Sequence, residues 1–304
     1  MTTAPPARGL SPLVLVAIIV TVLAWASAFI VIRGVAPHFS GGALALGRLL
    51  VGAVLLALVL IGHAWVRPTR REWLLVVSYG VVWFGFYNVA LNIAEQTLDA
   101  GTTAMIVNIG PILIALGAGV FLREGIPKWL AIGAAIAFGG VVLIGIGAGG
   151  ARIDGAGIAW ALAAAVAYAA GVLLQKPTLR RLPNRQVTFL GCATGLVACL
   201  PFAGSLVSDL QSAPVESILG VVYLGAIPTA LAFSTWAFAL SRMPAGQLGV
   251  STYLVPPLAI LLGFIAFHEV PVPLAIAGGV LCLAGVAVSR RKPRVIVPAE
   301  SLAE

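Results

Sequence analysis

The stretch Thr97–Gly145, TLDAGTTAMIVNIGPILIALGAGVFLREGIPKWLAIGAAIAFGGVVLIG, decides how the chain is read, because it occurs twice. A shift of 145 positions lays Ala100 and Gly101 on Ala245 and Gly246, Pro111 on Pro256, Glu124 on Glu269, Gly133 on Gly278 and Gly140 on Gly285, without a gap. Each copy is an apolar run, a short charged turn holding one Glu, and a second apolar run. A long apolar segment can satisfy its backbone in lipid only as a helix, so each copy reads as a hairpin that crosses a membrane twice.

Composition agrees with lipid as the solvent. The chain has 304 residues, of which 61% are hydrophobic and 9% charged, whereas soluble domains carry roughly a quarter charged residues. The net charge of +8 sits in the turns between apolar runs, where it orients a membrane protein and indicates no nucleic acid. Cys192, Cys199 and Cys282 all lie within apolar runs and suggest neither disulfides nor a metal. The run before Ala26-Ser27-Ala28 continues past that site and exceeds the ~7–15 residues of a signal core, so an uncleaved first span is expected.

Ten stretches near the length of a membrane crossing follow in order. They run about Pro12 to Ile32, Gly41 to Ile61, Trp73 to Ala94, Ala100 to Leu122, Pro127 to Gly147, Gly155 to Leu174, Thr188 to Leu206, Ser217 to Leu240, Ala245 to Phe267 and Pro271 to Val288. With the N-terminus in the cytoplasm, 15 Lys and Arg residues fall inside and 3, Arg33, Arg48 and Arg152, outside, so both termini are expected to be cytoplasmic. Five spans per half is odd, so the second half enters the membrane from the opposite side. The expected fold is an all-α integral membrane protein of ten transmembrane helices in two inverted five-helix repeats, residues 1–150 and 151–304, forming one membrane domain. The repeat extends to the first spans, where a shift of 143 lays Ala24-Trp25 on Ala167-Tyr168 and Arg33 on Lys176. Inverted repeats are common in secondary transporters, whose substrate site lies near the midplane between the halves.

Three segments resemble the EamA-type branch of the drug/metabolite transporter superfamily: AWASAFIVIRGVAPHFSGGALALGRLLVG, the third to fifth spans from GFYNVALNIAEQ onward, and WAFALSRMPAGQLGVSTYLVPPLAILLGFIAFHEVPVPLAIAGGVLCLAGV. The features shared are the Arg early in span two, the Pro within spans four and nine, and the Glu in the turns after them. The resemblance implies ten helices in two inverted repeats and transport of small metabolites, most often efflux of amino acids. Bacterial aromatic amino-acid exporters are the members the chain looks most like.

The residues themselves single out a cavity at the midplane. Pro111 and Pro256, with Pro257 beside it and Pro228 on span eight, remove backbone donors and free carbonyls that must be buried or face water, so they mark helix breaks or simple kinks. On span three, Tyr79, Trp83 and Tyr87 recur at intervals of four, as do Asn88, Asn92 and Gln96; the first four are expected to line a substrate cavity and the last two to join helices. Trp25, Tyr168 and Trp236 are deep aromatics, while Trp65, Trp73 and Trp129 fit the membrane surface. Asn108, Thr229, Ser251 and Thr252 would supply hydrogen bonds, and Tyr253 adjoins them. Such a chamber suits a small zwitterion better than a phosphorylated sugar. Arg48, inside span two, either snorkels to the headgroups, pairs with carbonyls at a helix end, or recognises a substrate carboxylate.

No acidic residue falls mid-span, which favours facilitated diffusion over proton coupling, although Glu95, Asp99 or His63 could line a vestibule. Gly145–Gly150, GIGAGG, fits G-x-G-x-x-G but follows a lipid-spanning run, and no Walker A loop, G-x-S-x-G or zinc-protease motif is present. Neither an enzyme nor a cofactor or metal is indicated. Gly191-Cys-Ala-Thr-Gly195 marks a close helix crossing, within one chain or between two. The leading expectation is an exporter of amino acids or related metabolites in the bacterial cytoplasmic membrane, working by alternating access, with membrane lipid as its surroundings. Uptake, transport of a nucleoside or nucleotide sugar, and a non-transporting scaffold stand beside it; substrate identity, flux direction and oligomeric state are not encoded in these motifs.

Overall fold

The computed structural model describes residues 11–121, 155–243, 245–268 and 272–289, with scattered positions between 128 and 146. Every regular element among them is helical. Helix α1, Pro12–Val35, starts at Ser11, whose hydroxyl accepts from Val14 N, and has Pro at its first position, where no donor is missed. Helix α2 is Gly41–Leu60. Helix α3, Arg70–Thr97, opens on a capping box in which Thr69 and Glu72 satisfy each other's backbone donors, which is why it begins before the expected Trp73. Asp99 caps α4, Ala100–Val107, and after a break α5 runs Gly110–Phe121. The second half has α6, Gly155–Thr178; α7, Asn184–Ser212; and α8, Val215–Leu240. It closes with α9, Ala245–Gly249, a 3₁₀ turn Val250–Leu254, α10, Val255–Phe267, and α11, Pro273–Ser289.

Among the described residues, seven helices are long and apolar enough to cross a membrane, α4 and α5 counting as one over Ala100–Gly117, and Ser251–Phe267 and Ile276–Gly285 are shorter apolar helices. The expected fifth span, Pro127 to Gly147, lies largely outside the described residues, as do the turn residues Glu124 and Glu269 and the side chain of Cys282. Cys192 and Cys199 are buried and free. Large side chains such as Leu13, Leu23, Leu58, Leu74 and Leu219 stand exposed around the bundle, an apolar exterior that water would penalise and lipid accepts.

The two halves interlock. Helix α1 packs on α8 and α10 of the second half, while its repeat mate α6 packs on α3 and α5 of the first. Both long helices α3 and α8 widen into a π turn, at Gly80–Phe86 and Gly225–Leu231, and these segments stand 145 positions apart residue for residue. Within each, a backbone donor reaches five residues back, Tyr87 N to Val82 O and Ala232 N to Ile227 O. In α8 the cause is visible. Pro228 cannot donate to Leu224 O, and the Thr229 hydroxyl donates to that carbonyl instead, at 2.8 Å. In α3 the Asn88 side-chain amide serves Phe84 O at 2.7 Å.

Glycines let each π turn touch a neighbour. A Cβ on Gly80 would sit 2.5 Å from Gly191 O of α7, and one on Gly225 would sit 2.7 Å from Arg48 O of α2, so neither position admits a side chain without backbone movement. The Gly191–Gly195 pair is therefore a crossing within the chain.

A chamber between the interlocked helices

Where α1, α3, α6 and α8 meet, the aromatic residues form one packed group. Trp25 lies with its ring centroid 6.4 Å from Trp83, 6.2 Å from Tyr168, 5.6 Å from Phe233 and 5.0 Å from Trp236. Trp25 and Tyr168 are repeat mates and touch, so the chain's internal symmetry passes between them. Beside them lies a cavity of about 40 Å³. At ~10–15 Å³ per water centre it has room for roughly three waters.

Of the residues expected to line a cavity, Trp25, Trp83, Tyr87, Asn108, Tyr168 and Arg48 are on its wall. So is Thr252, from the 3₁₀ turn before Pro256. The others stand elsewhere. Tyr79 is fully buried behind Trp83, its hydroxyl accepting from Gln175 Nε2 at 3.0 Å. Asn88 donates to Phe84 O in the π turn, and Trp236 packs against Trp25, with ring centroids 5.0 Å apart. Thr229 is buried behind Arg48, Ser251 donates to Leu248 O, and Tyr253 packs against Ile112. Asn92 and Gln96 donate to Gly41 O and Phe39 O, joining α3 to the start of α2 as their spacing suggested.

The prolines act through the residues before them. Pro111 has no donor for Val107 O, the helix breaks at Asn108 and Ile109, and Val107 and Asn108 face the chamber. Pro256 is buried after the matching turn, with Thr252 and Val255 on the wall, Pro228 is buried in its π turn, and Pro257 is exposed on the outside.

Sequence reasoning missed Ala28, Phe29, Leu91, Phe233, Val107 and Val255, which complete the wall. Spacing could have found two of them, since Phe29 and Leu91 follow Trp25 and Tyr87 by four on the same helix faces. Repeat symmetry could have found Val107, the mate of Thr252.

Arg48 does not snorkel. It is 3% exposed, its Nε donates to Thr229 Oγ1 at 3.1 Å, and its Nη1 has no hydrogen-bond partner. The Asn108 carbonyl oxygen Oδ1 is likewise buried without one. A donor of positive charge and an uncharged acceptor thus belong to residues that line the same small space together with Trp25, Trp83, Tyr87, Tyr168 and Phe233. Glu95, on the α3 face of Tyr87 and Leu91, is fully buried, and its main-chain carbonyl accepts from Arg33 Nη1 at 3.3 Å.

A multi-pass helical membrane protein, built from two interlocked halves around a small polar and aromatic chamber, is the class these features define. The model of the EamA-like transporter family matches residues 12–146 and 155–291, and the chain belongs to that family. It is thereby a transporter and not an enzyme. A protein of Streptantibioticus cattleyicolor, named a probable terminal-alkyne amino-acid exporter, is 35% identical over 91% of this chain and 93% of its own length. A Salmonella typhimurium protein, named a probable amino-acid metabolite efflux pump, is 26% identical over 88% of this chain and 91% of its own. A solved crystal structure aligns with a TM-score of 0.64 at 20% identity, covering 91% of this chain and 96% of that one, and shows the fold alone.

Proposed function

We propose that this transporter exports amino acids or related small zwitterions across the bacterial cytoplasmic membrane by alternating access. Ten crossings in two inverted five-helix halves, residues 1–150 and 151–304, rock against each other, with both termini in the cytoplasm. The observation that carries the reading is the pairing of unused polar atoms on the chamber wall: Arg48 Nη1 for a carboxylate, and Asn108 Oδ1 with the Trp25 and Trp83 faces for an ammonium. Phe29, Leu91, Phe233 and Val255 offer apolar contact to a side chain. The names of the relatives point the same way. A nucleotide sugar would ask for several cations, and among the described residues Arg48 alone supplies one on this wall.

A substrate enters only when one half tilts and the chamber widens toward one side, and it leaves after the tilt reverses. Purified protein in liposomes loaded with a panel of radiolabelled amino acids tests the reading directly: flux of at least one is expected, and no flux for any from folded protein removes it.

Flux is expected to run down the substrate gradient and to survive collapse of the proton gradient. The buried Glu95 carboxylate favours a coupled second reading. Loss of flux on adding a protonophore, reproduced by Glu95→Gln, would establish that reading instead.

A further inference from the structure

Resting on the reading of the chamber as an amino-acid site, we propose that Thr229 is the positioning residue for its cation. The hydroxyl, held by the π turn of α8, fixes Arg48 so that Nη1 faces a ligand carboxylate.

The crossing of α2 on α8 does not call for a guanidinium at Arg48. Helix α7 crosses α3 as α2 crosses α8, and at the position matching Arg48 it carries Gly191. A glycine suffices for the crossing, yet on α2 a guanidinium is buried where a charge without a partner is expensive. One of its five donor hydrogens, on Nε, is committed to Thr229. That acceptor does not neutralise the charge. Its effect is geometric, since a guanidinium is planar and holding Nε fixes the plane of a side chain that lines the chamber with Asn108 and Trp83.

Thr229 can hold it because its own hydrogen is already directed. Pro228 leaves Leu224 O without its helical donor, Thr229 Oγ1 donates there at 2.8 Å, and its lone pairs therefore turn toward α2. The chain of bonds runs from Arg48 Nε through the Thr229 hydroxyl to Leu224 O. It ties the first half's cation to the widened turn of the second half, so a shift of that turn during tilting moves the carboxylate anchor with it.

The test measures discrimination, which a purely structural role would leave alone. Full-length protein is titrated with L-phenylalanine, 3-phenylpropionate and L-phenylalaninamide, with quenching of tryptophan fluorescence as the readout, and flux kinetics are run on the first and last. Wild-type protein is expected to favour both acids over the amide by ~10–100-fold, the range of a charged hydrogen bond. Thr229→Val should bring that ratio to about threefold or less by raising the acid KM, with maximal flux less affected, and Thr229→Ser should restore it. If Thr229→Val does not fold, Thr229→Cys, whose sulfur is a weaker acceptor, should give an intermediate ratio. Arg48→Lys, which keeps the charge and loses the fork, should also lower it.

Unchanged discrimination in Thr229→Val, or equal loss in Thr229→Ser, overturns the positioning role while leaving amino-acid transport standing. Binding of 3-phenylpropionate that depends on Thr229, with no amino acid carried, upholds the anchor and removes the transport reading. Binding of none of the three by folded wild-type protein overturns both.

Discussion

Two helix crossings in this protein share a backbone contact and differ in the side chain at its first residue. Helix α7 meets the π turn of α3 through Gly191 and Gly195; α2 meets the π turn of α8 through Arg48 and Gly52. In each the backbone oxygen of the first residue lies against the glycine that opens the π turn. In each the second residue's imagined Cβ approaches that glycine's own oxygen, Gly80 O at 2.8 Å and Gly225 O at 3.3 Å. Gly191 makes room for the Tyr79 ring, whereas Arg48 sends a guanidinium into the chamber. A duplicated fold can thus keep a structural contact in both copies while placing chemistry in one. The crossings are alike because packing asks the same of both halves, and the chamber is lopsided because Arg48 has no counterpart at Gly191.

The largest effect should come from filling the shared feature. Gly80→Leu and Gly225→Leu each force backbone apart, at about 1–3 kcal/mol or more, and folded yield with thermal melting in detergent should fall for both. Tolerance of one but not the other would break the equivalence of the crossings. Next comes the residue that differs. Arg48→Met is expected to abolish flux while leaving stability unchanged or raising it by about 1–4 kcal/mol, because an incompletely paired buried charge gives way to an apolar chain. Gly191→Ala should do the reverse to stability, pressing a methyl against Tyr79. Melting curves that rank the two variants the other way would make Arg48 a structural residue.

A smaller effect is expected from a second matched pair. Arg33 donates to Glu95 O near the end of α3, and its repeat mate Lys176 donates to Leu240 O and Met243 O at the end of α8. Each cation meets the negative end of a helix, worth about 0.3–1 kcal/mol. Arg33→Met and Lys176→Met should therefore raise thiol labelling of a cysteine placed beside the chamber from opposite sides of the membrane. Labelling from the same side in both would sharpen doubt about the halves being inverted. The smallest effect belongs to the exposed Glu72–Arg181 pair joining α3 to the turn after α6, where Glu72→Gln should leave melting within measurement error.

How much of the chamber could be read in the sequence follows from which signals survive in a chain apolar on every side. Trp25 and Tyr168 were legible because deep aromatics at matched positions of a repeat are unusual. Trp83 and Tyr87 were legible by fourfold spacing, and Asn108 by its place one turn before a mid-span proline. Phe233, Leu91 and Val255 were not, because an apolar residue facing a cavity and one facing lipid look the same when no polar face marks the inside. Tyr79 and Trp236 carried the right signal and stand one layer too deep.

By itself the sequence determined that the chain is a helical membrane protein, that it is duplicated, and where most helices begin and stop, because those follow from local hydropathy, caps, prolines and a repeat that can be slid along itself. Only the tertiary structure decided that both long helices widen at matched turns, that the Gly191–Gly195 crossing is internal, and that Arg48 meets Thr229 across 181 positions of chain. Those outcomes depend on which helix lies against which. Backbone widths and hydrogen-bond partners of that kind are set by the neighbour's shape and leave no pattern along the chain that bears them.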